Sequence, residues 1–175
     1  YSDGHGFCFG CSYTMQPEKD KPRKSFIKTV KKPLLKFVTP KPLPKRGLSH
    51  ETCELFNYGI SEHNGVPVQV ATYEDKLGRP AAQHIRYQNK RFSWLGDVGD
   101  LQLWGQRLWR QVNTGGMFVT ITEGEIDCMS VSQVQGNKFP VVSLPSGSQS
   151  ANKYIAANLK WLSQFVRIVI CFDSD

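Results

Sequence analysis

Three short runs in the second half of the chain, residues 117–122, 141–144 and 167–172, are apolar or β-branched on both faces, with segments of helical character between them. A strand that is apolar on both sides has to be covered on both sides. The pattern therefore implies a parallel sheet with helices on its two faces, built from βαβ crossovers. One crossover is a helix beginning near Gly124. The other is a helix over residues 150–165, with Ile155, Leu159 and Leu162 at helical spacing. In open sheets of this kind, ligands collect beyond the carboxyl ends of the strands.

Acids stand at those ends. The first strand leads into Thr122-Glu123-Gly124-Glu125-Ile126-Asp127, and the third into Cys171-Phe172-Asp173-Ser174-Asp175. If the extended conformation persists, Asp173 and Asp175 point the same way, toward Glu123 at the lip of the sheet. Asp127, one helical turn on, can face the same place. An isolated acid here is better explained by the positive end of a helix dipole. A Glu at one strand end with Asp-x-Asp at another indicates a cation, because clustered carboxylates repel one another unless one neutralises them. Magnesium or manganese is the expected ion. Both favour hard oxygen ligands and keep coordination positions open for substrate phosphates.

The 175 residues, 39% of them hydrophobic, suffice for one packed core plus a small appendage. No apolar run approaches the length of a membrane span, and the first residues do not form a signal peptide, so a cytoplasmic protein with no membrane partner is expected. Five cysteines, an odd number, argue against a disulfide framework. Cys53, Cys128 and Cys171 lie in apolar or helical contexts and are read as small hydrophobes. Cys8 and Cys11 form a Cys-x-x-Cys knuckle, half of a four-cysteine zinc ribbon. A redox role would need a strand-to-helix context, which is not present. One knuckle cannot close a tetrahedral zinc site, so the second pair is expected upstream of Tyr1. The chain reads as a piece cut at both ends.

Between residues 17 and 46 lie eleven of the 22 Lys and Arg residues, two acids and six of the ten prolines. That segment carries a net +9 and leaves −2 for the rest of the chain, whose total is +7. Proline denies it regular structure, so it reads as a basic linker able to attract a polyanion, with some apolar residues lying against a surface. Next come a short helix within residues 48–58, capped by Ser49, and an antiparallel meander over residues 66–73, 81–87 and 91–95 that exposes His84, Arg86, Lys90 and Arg91. Trp94, Trp104, Trp109 and Trp161 are expected in the core. The expected class is α/β, α+β overall. Its divisions are half a ribbon (1–16), a linker (17–46), an antiparallel subdomain (47–114) and a truncated parallel-sheet domain (115–175).

Thr-Glu-Gly-Glu-Ile-Asp some fifty residues before Phe-Asp-Ser-Asp resembles the Toprim domain, a Rossmann-like fold shared by primases, topoisomerases and some nucleases. The resemblance implies acid/base chemistry for Glu123 and magnesium binding by Asp173 and Asp175. Ribbon, basic linker and Toprim core in that order resemble the primase part of bacteriophage primase-helicases, and the likeness runs nearly the full chain. It includes Ser-Asp-Gly-His ahead of the knuckle, Gly-Leu-Ser-x-Glu-Thr-Cys, and Pro-Val-Val-Ser-Leu. It implies template-directed synthesis of short RNA primers, with single-stranded DNA and ribonucleoside triphosphates as partners, zinc at Cys8 and Cys11, and a helicase further along the chain. By the same likeness His5, with Asp3, reads template bases, and Arg86, Lys90 and Lys153 contact nucleotide or template. His84 stands where the family has a lysine. The alternatives are another Toprim enzyme, or a DNA-binding module of a helicase without catalysis.

Overall fold

The computed structural model describes residues 6–7, 14–15, 32–110 and 117–173. Its backbone divides into two compact units, Tyr1–Val30 and Lys31–Asp175. In the first unit β1 (Gly6–Phe7) runs antiparallel to β2 (Thr14–Met15), with Gly6 opposite Met15. His5, Cys8 and Cys11 lie outside the described residues, as does Asp175.

The second unit holds an antiparallel sheet of five strands in the order β3 (Thr39–Pro40), β4 (Tyr58–His63), β5 (Val66–Glu74), β6 (Pro80–Tyr87) and β7 (Phe92–Gly96). Three of these carry the alternation expected of the meander. β4 was not anticipated, because Gly59 and the polar residues at 61–63 dilute its pattern. The signal that identifies it is Asn64-Gly65, both at positive φ (54° and 75°), the dipeptide that closes two-residue hairpins.

One face of this sheet is covered from the segment read as a linker. Leu34, Leu35 and Val38 pack on Val68, Val70, Ile85 and Leu95. Leu35 also exchanges backbone hydrogen bonds with the side-chain amide of Gln83, at 2.7 and 3.1 Å. The described part of that segment is thus a packed strap, in which apolar side chains interrupt the lysines.

The other face meets α1 (His50–Leu55) and α2 (Glu125–Val134) through a core that includes Phe56, Tyr73, Trp104 and Met129. Ser49 caps α1 as expected, accepting from the Thr52 N–H at 3.2 Å. Trp104 ties the two sheets together. Its indole N–H donates to the Thr72 carbonyl of β5, and its backbone pairs with Ser143 of the parallel sheet at 2.9 and 3.0 Å. Gly105 follows at φ 84°, and a Cβ there would lie 2.8 Å from the Phe56 ring.

The parallel sheet has the order β10 (Arg167–Cys171), β8 (Phe118–Thr122), β9 (Val141–Ser143). Val119, Ile121, Val142 and Leu144 pack against Tyr154, Leu162 and Phe165 from the helices after β9. The single helix expected there is two, α3 (Ala151–Ala157) and α4 (Leu159–Leu162). Asn158 interrupts it, leaving helical geometry (φ −110°, ψ 12°) while its side-chain amide donates to the Tyr154 carbonyl at 2.9 Å. β10 departs from expectation too. Ile168 and Ile170 are 42% and 53% exposed and Cys171 is exposed, since no described element covers this edge strand. Cys53 and Cys128 are buried, as read from the sequence. No described helix is long and apolar enough to cross a membrane.

Phe56 is 1% exposed and stacks on Trp104 with ring centres 5.2 Å apart. Phe56→Ala is expected to cost about 3–5 kcal/mol of folding stability in urea denaturation. A cost below about 1 kcal/mol would show that this contact does not hold the two sheets together.

Candidate active site

Glu123 leaves β8 at its carboxyl end, as the sheet rule requires. Thr122 Oγ1 fixes the strand end, in contact with the carbonyls of Val142 and Gly124 at 3.3 and 3.1 Å. Glu123 Oε1 then accepts from both the hydroxyl (2.8 Å) and the backbone N–H (3.2 Å) of Ser148, in the loop after β9. Gly147 in that loop has φ 69°, and a Cβ there would stand 3.4 Å from Glu123 Oε1. The two Ser148 bonds, with a smaller contribution from the Asp173 backbone, hold the Glu123 carboxyl below the usual range, so it stays ionised.

Asp127, in the first turn of α2, behaves oppositely. Burial pushes its carboxyl up, and the charges of Asp173 and then Glu125 add to the shift. Asp173 is thus near both acids, reaching Asp127 through its charge and Glu123 through its backbone. Among the described residues, no three acids, histidines or cysteines are drawn together tightly enough to grip a metal ion already.

Glu125, the middle acid of the same motif, turns the other way, under the antiparallel sheet. Its Oε1 accepts from the Tyr73 hydroxyl at 2.6 Å and pairs with His84 Nδ1 at 2.7 Å. Burial acts to raise its carboxyl, but the His84 hydrogen bond and charge and the Tyr73 hydrogen bond outweigh it, leaving the carboxyl below its ordinary value. The Tyr73 phenol is pushed well above its own, by burial first and then by the Glu125 charge. His84 therefore does not sit on an exposed face. Its side chain is only 17% exposed, because a buried carboxylate and two aromatic rings enclose it. Trp94 stacks on it at 4.4 Å and 14°, Phe92 at 5.1 Å and 22°.

Between these groups lies a cavity of about 530 Å³. One wall carries Arg46, His84, Arg86, Phe92 and Trp94, and the other Glu123, Asp127 and the loop after β9. The Arg86 guanidinium lies over the Phe92 ring, 5.5 Å from its centre. An adjoining pocket of about 390 Å³ shares Arg46 and Arg86 and adds Lys45 and Lys90. Lys153 does not line the cavity. Its ammonium lies 5.1 Å from the centre of the Tyr154 ring. Trp94 packs partly buried against the core, as expected, and also lines the cavity, whereas Trp104 and Trp109 are buried.

Sequence reasoning passed over Arg46 and Glu125. Arg46 was counted only as linker charge. Its helical turn, Pro44–Arg46, is pinned to α2 by Gln133, which donates to the Gly47 carbonyl and accepts from the Ser49 N–H, both at 2.8 Å. The Gly-Leu-Ser cap signal immediately after Arg46 could have shown that order begins there.

Residues 39–96 match the family model described as "Bacteriophage T7 DNA helicase/primase, N-terminal a+b fold", and residues 120–175 match "Toprim-like". The primase fragment of the bacteriophage T7 primase-helicase superposes with a TM-score of 0.76 and 35% identity, over 99% of this chain and 73% of that one. The chain belongs to the phage primase-helicase family. A DNA helicase/primase of Enterobacteria phage T3 is 33% identical over 186 residues, which cover all of this chain but 32% of that protein. This family member thus spans about a third of its phage T3 relative. The E. coli primase catalytic core, at 19% identity and a TM-score of 0.56 over 76% of this chain and 54% of that one, shares the fold.

The Glu125 carboxyl gives up its proton more readily in the folded chain than in the unfolded one. Its stabilising effect is complete above its ordinary value of 4.5 and is lost as pH falls through the lower folded value. Glu125→Gln is expected to lower stability at pH 7 and to flatten the loss of stability on acidification below about pH 5. Parallel acid-unfolding curves for the two proteins would show that this carboxylate is not held as described.

Proposed function

We propose that the chain is the primase part of a phage-type primase-helicase, synthesising short RNA primers on single-stranded DNA from ribonucleoside triphosphates. The observation that supports this reading best is the cavity itself. Glu123 at the carboxyl end of β8 and Asp127 in the first turn of α2 line a cavity that also carries Arg46 and Arg86, and the charge of Asp173, just beyond β10, reaches Asp127. A triphosphate needs both kinds of surface: cationic donors for its oxygens, and carboxylates for the divalent ion that accompanies it. The Toprim match alone would also suit a topoisomerase or nuclease. The match of residues 39–96 to the helicase/primase amino-terminal fold selects primase.

The donor set suits magnesium or manganese. It is all carboxylate, and the upward push on Asp127 from Asp173 is the repulsion that a cation would relieve. Glu123, Asp127, Asp173 and Asp175 are the residues that would hold it, and when bound it would neutralise charge on the phosphates during in-line displacement. Ser148 keeps Glu123 ionised and aimed at the cavity. Held ionised in this way, Glu123 can serve as a charged ligand, and acid/base assistance by Glu123 belongs to the same proposal on the family resemblance. Lys90, in the adjoining basic pocket with Lys45, is placed to hold template phosphates, while Arg86 serves both pockets. Zinc at Cys8 and Cys11, template reading by His5 and Asp3, a nucleotide contact by Lys153, and a hexameric helicase in the same full-length chain belong to the same proposal on the family resemblance.

Asp173→Asn in the complete protein should reduce oligoribonucleotide synthesis on a single-stranded template by at least a hundredfold while the protein remains folded. Synthesis at the wild-type rate would exclude the assignment. Relaxation or nicking of supercoiled DNA in place of primer synthesis would favour a different Toprim enzyme.

A further inference from the structure

The pairing of β6 with β7 places His84 opposite Trp94 and Arg86 opposite Phe92, so all four side chains share one face of the sheet, at the cavity wall. His84 Nδ1 lies 2.7 Å from Glu125 Oε1, the oxygen that also accepts from the Tyr73 hydroxyl, so the imidazole N–H is the donor in this bond. With the ring stacked on Trp94 and Phe92, the polar atom left over is Nε2, which has no hydrogen-bond partner among the described residues. An imidazole whose first nitrogen is fixed by a carboxylate has its second nitrogen fixed in direction as well. Here the second nitrogen lies on the wall that also carries Arg46 and Arg86, facing Glu123 and Asp127.

We propose that His84 Nε2 is a direct ligand of the triphosphate of the incoming nucleotide, oriented by Glu125 and Tyr73 and steadied by the Trp94 and Phe92 rings. The assignment rests on the primase reading for the identity of the nucleotide. Its chemistry is that of a polyphosphate anion. In the bound state the phosphate oxygen would accept from Nε2 while Nδ1 keeps its bond to Glu125. Glu125, which lines the same cavity, has its Oε1 engaged by Tyr73 and His84, and Glu125 and Tyr73 act here as positioning residues for the imidazole.

Two variants separate this role from a structural one, because the Asn amide nitrogen takes the place of Nδ1 and the Gln amide nitrogen that of Nε2. The measurement is equilibrium binding of inorganic tripolyphosphate with magnesium to the complete protein, alongside binding of a short oligodeoxythymidylate. His84→Asn, which can keep the bond to Glu125, should weaken tripolyphosphate binding about tenfold, the loss expected for one charge-assisted hydrogen bond. His84→Gln, which can keep a donor at the cavity wall, should stay within about threefold of wild type, and oligonucleotide binding should change little in either variant. Wild-type affinity in His84→Asn, equal losses in both variants, a loss confined to the oligonucleotide, or no tripolyphosphate binding by the wild type would each overturn the assignment. Should a variant fold poorly, the wild-type protein decides the question alone. Its His84 ring resonances must shift when tripolyphosphate binds, and binding without a shift excludes contact. Absence of primer synthesis by a wild-type protein that binds tripolyphosphate through His84 would defeat the primase reading and leave the anion site standing.

Discussion

A carboxylate held away from water is costly unless it is paired, and the pairing of Glu125 with Tyr73 and His84 is the constraint on which the site depends. Both partners come from the antiparallel sheet, and Glu125 opens the helix that follows the first strand of the parallel sheet. The three groups therefore join two layers of opposite strand geometry at the point where the cavity begins. Glu123, Glu125 and Asp127 all line the cavity, but the Glu125 carboxylate is tied to Tyr73 and His84, while its neighbours two residues away on either side have no such partners among the described residues of the antiparallel sheet. One short acidic motif thus supplies an anchor and two cavity-facing carboxylates, according to which way each side chain points.

The acids that face the cavity are not equivalent. Hydrogen bonds from Ser148 keep Glu123 ionised, while burial and the charge of Asp173 work against ionisation of Asp127. The contrast arises from environment: hydrogen bonds decide the state of Glu123, burial and neighbouring charges that of Asp127. Across the cavity the guanidinia of Arg46 and Arg86 supply fixed positive charge, so the space between has a strong internal field before any ligand enters.

Much of this architecture was legible in the sequence. Runs apolar on both faces announced the parallel sheet, and alternation announced β5, β6 and β7. Glu123 stands at the carboxyl end of β8, on the cavity, as the sheet rule requires. What escaped has physical reasons. β4 carries too few apolar residues to show alternation, and only its Asn-Gly turn marks it. That apolar residues of the basic segment lie against a surface was legible; which surface was not, since the sheet face covered by Leu34, Leu35 and Val38 is built from residues far along the chain. His84 looked exposed because polar residues on a strand usually are. Its burial depends on Glu125, forty-one residues away, a partner that local pattern cannot reveal. The break at Asn158 turns on one side-chain amide competing for a helix carbonyl.

β6 sorts its residues strictly by parity. Gln83 and Ile85 face the strap, whereas Ala82 belongs to the core between the sheets, and His84 and Arg86 reach the cavity on that same side. Loss or gain of a single residue ahead of His84 within this strand would exchange the two sets. Ile85 would then stand over the cavity, and an imidazole and a guanidinium would press into an apolar layer. The spacing of β6 between its two turns is thus as much a part of the site as the identity of any side chain on it, and a substitution there is easier to accommodate than a shift.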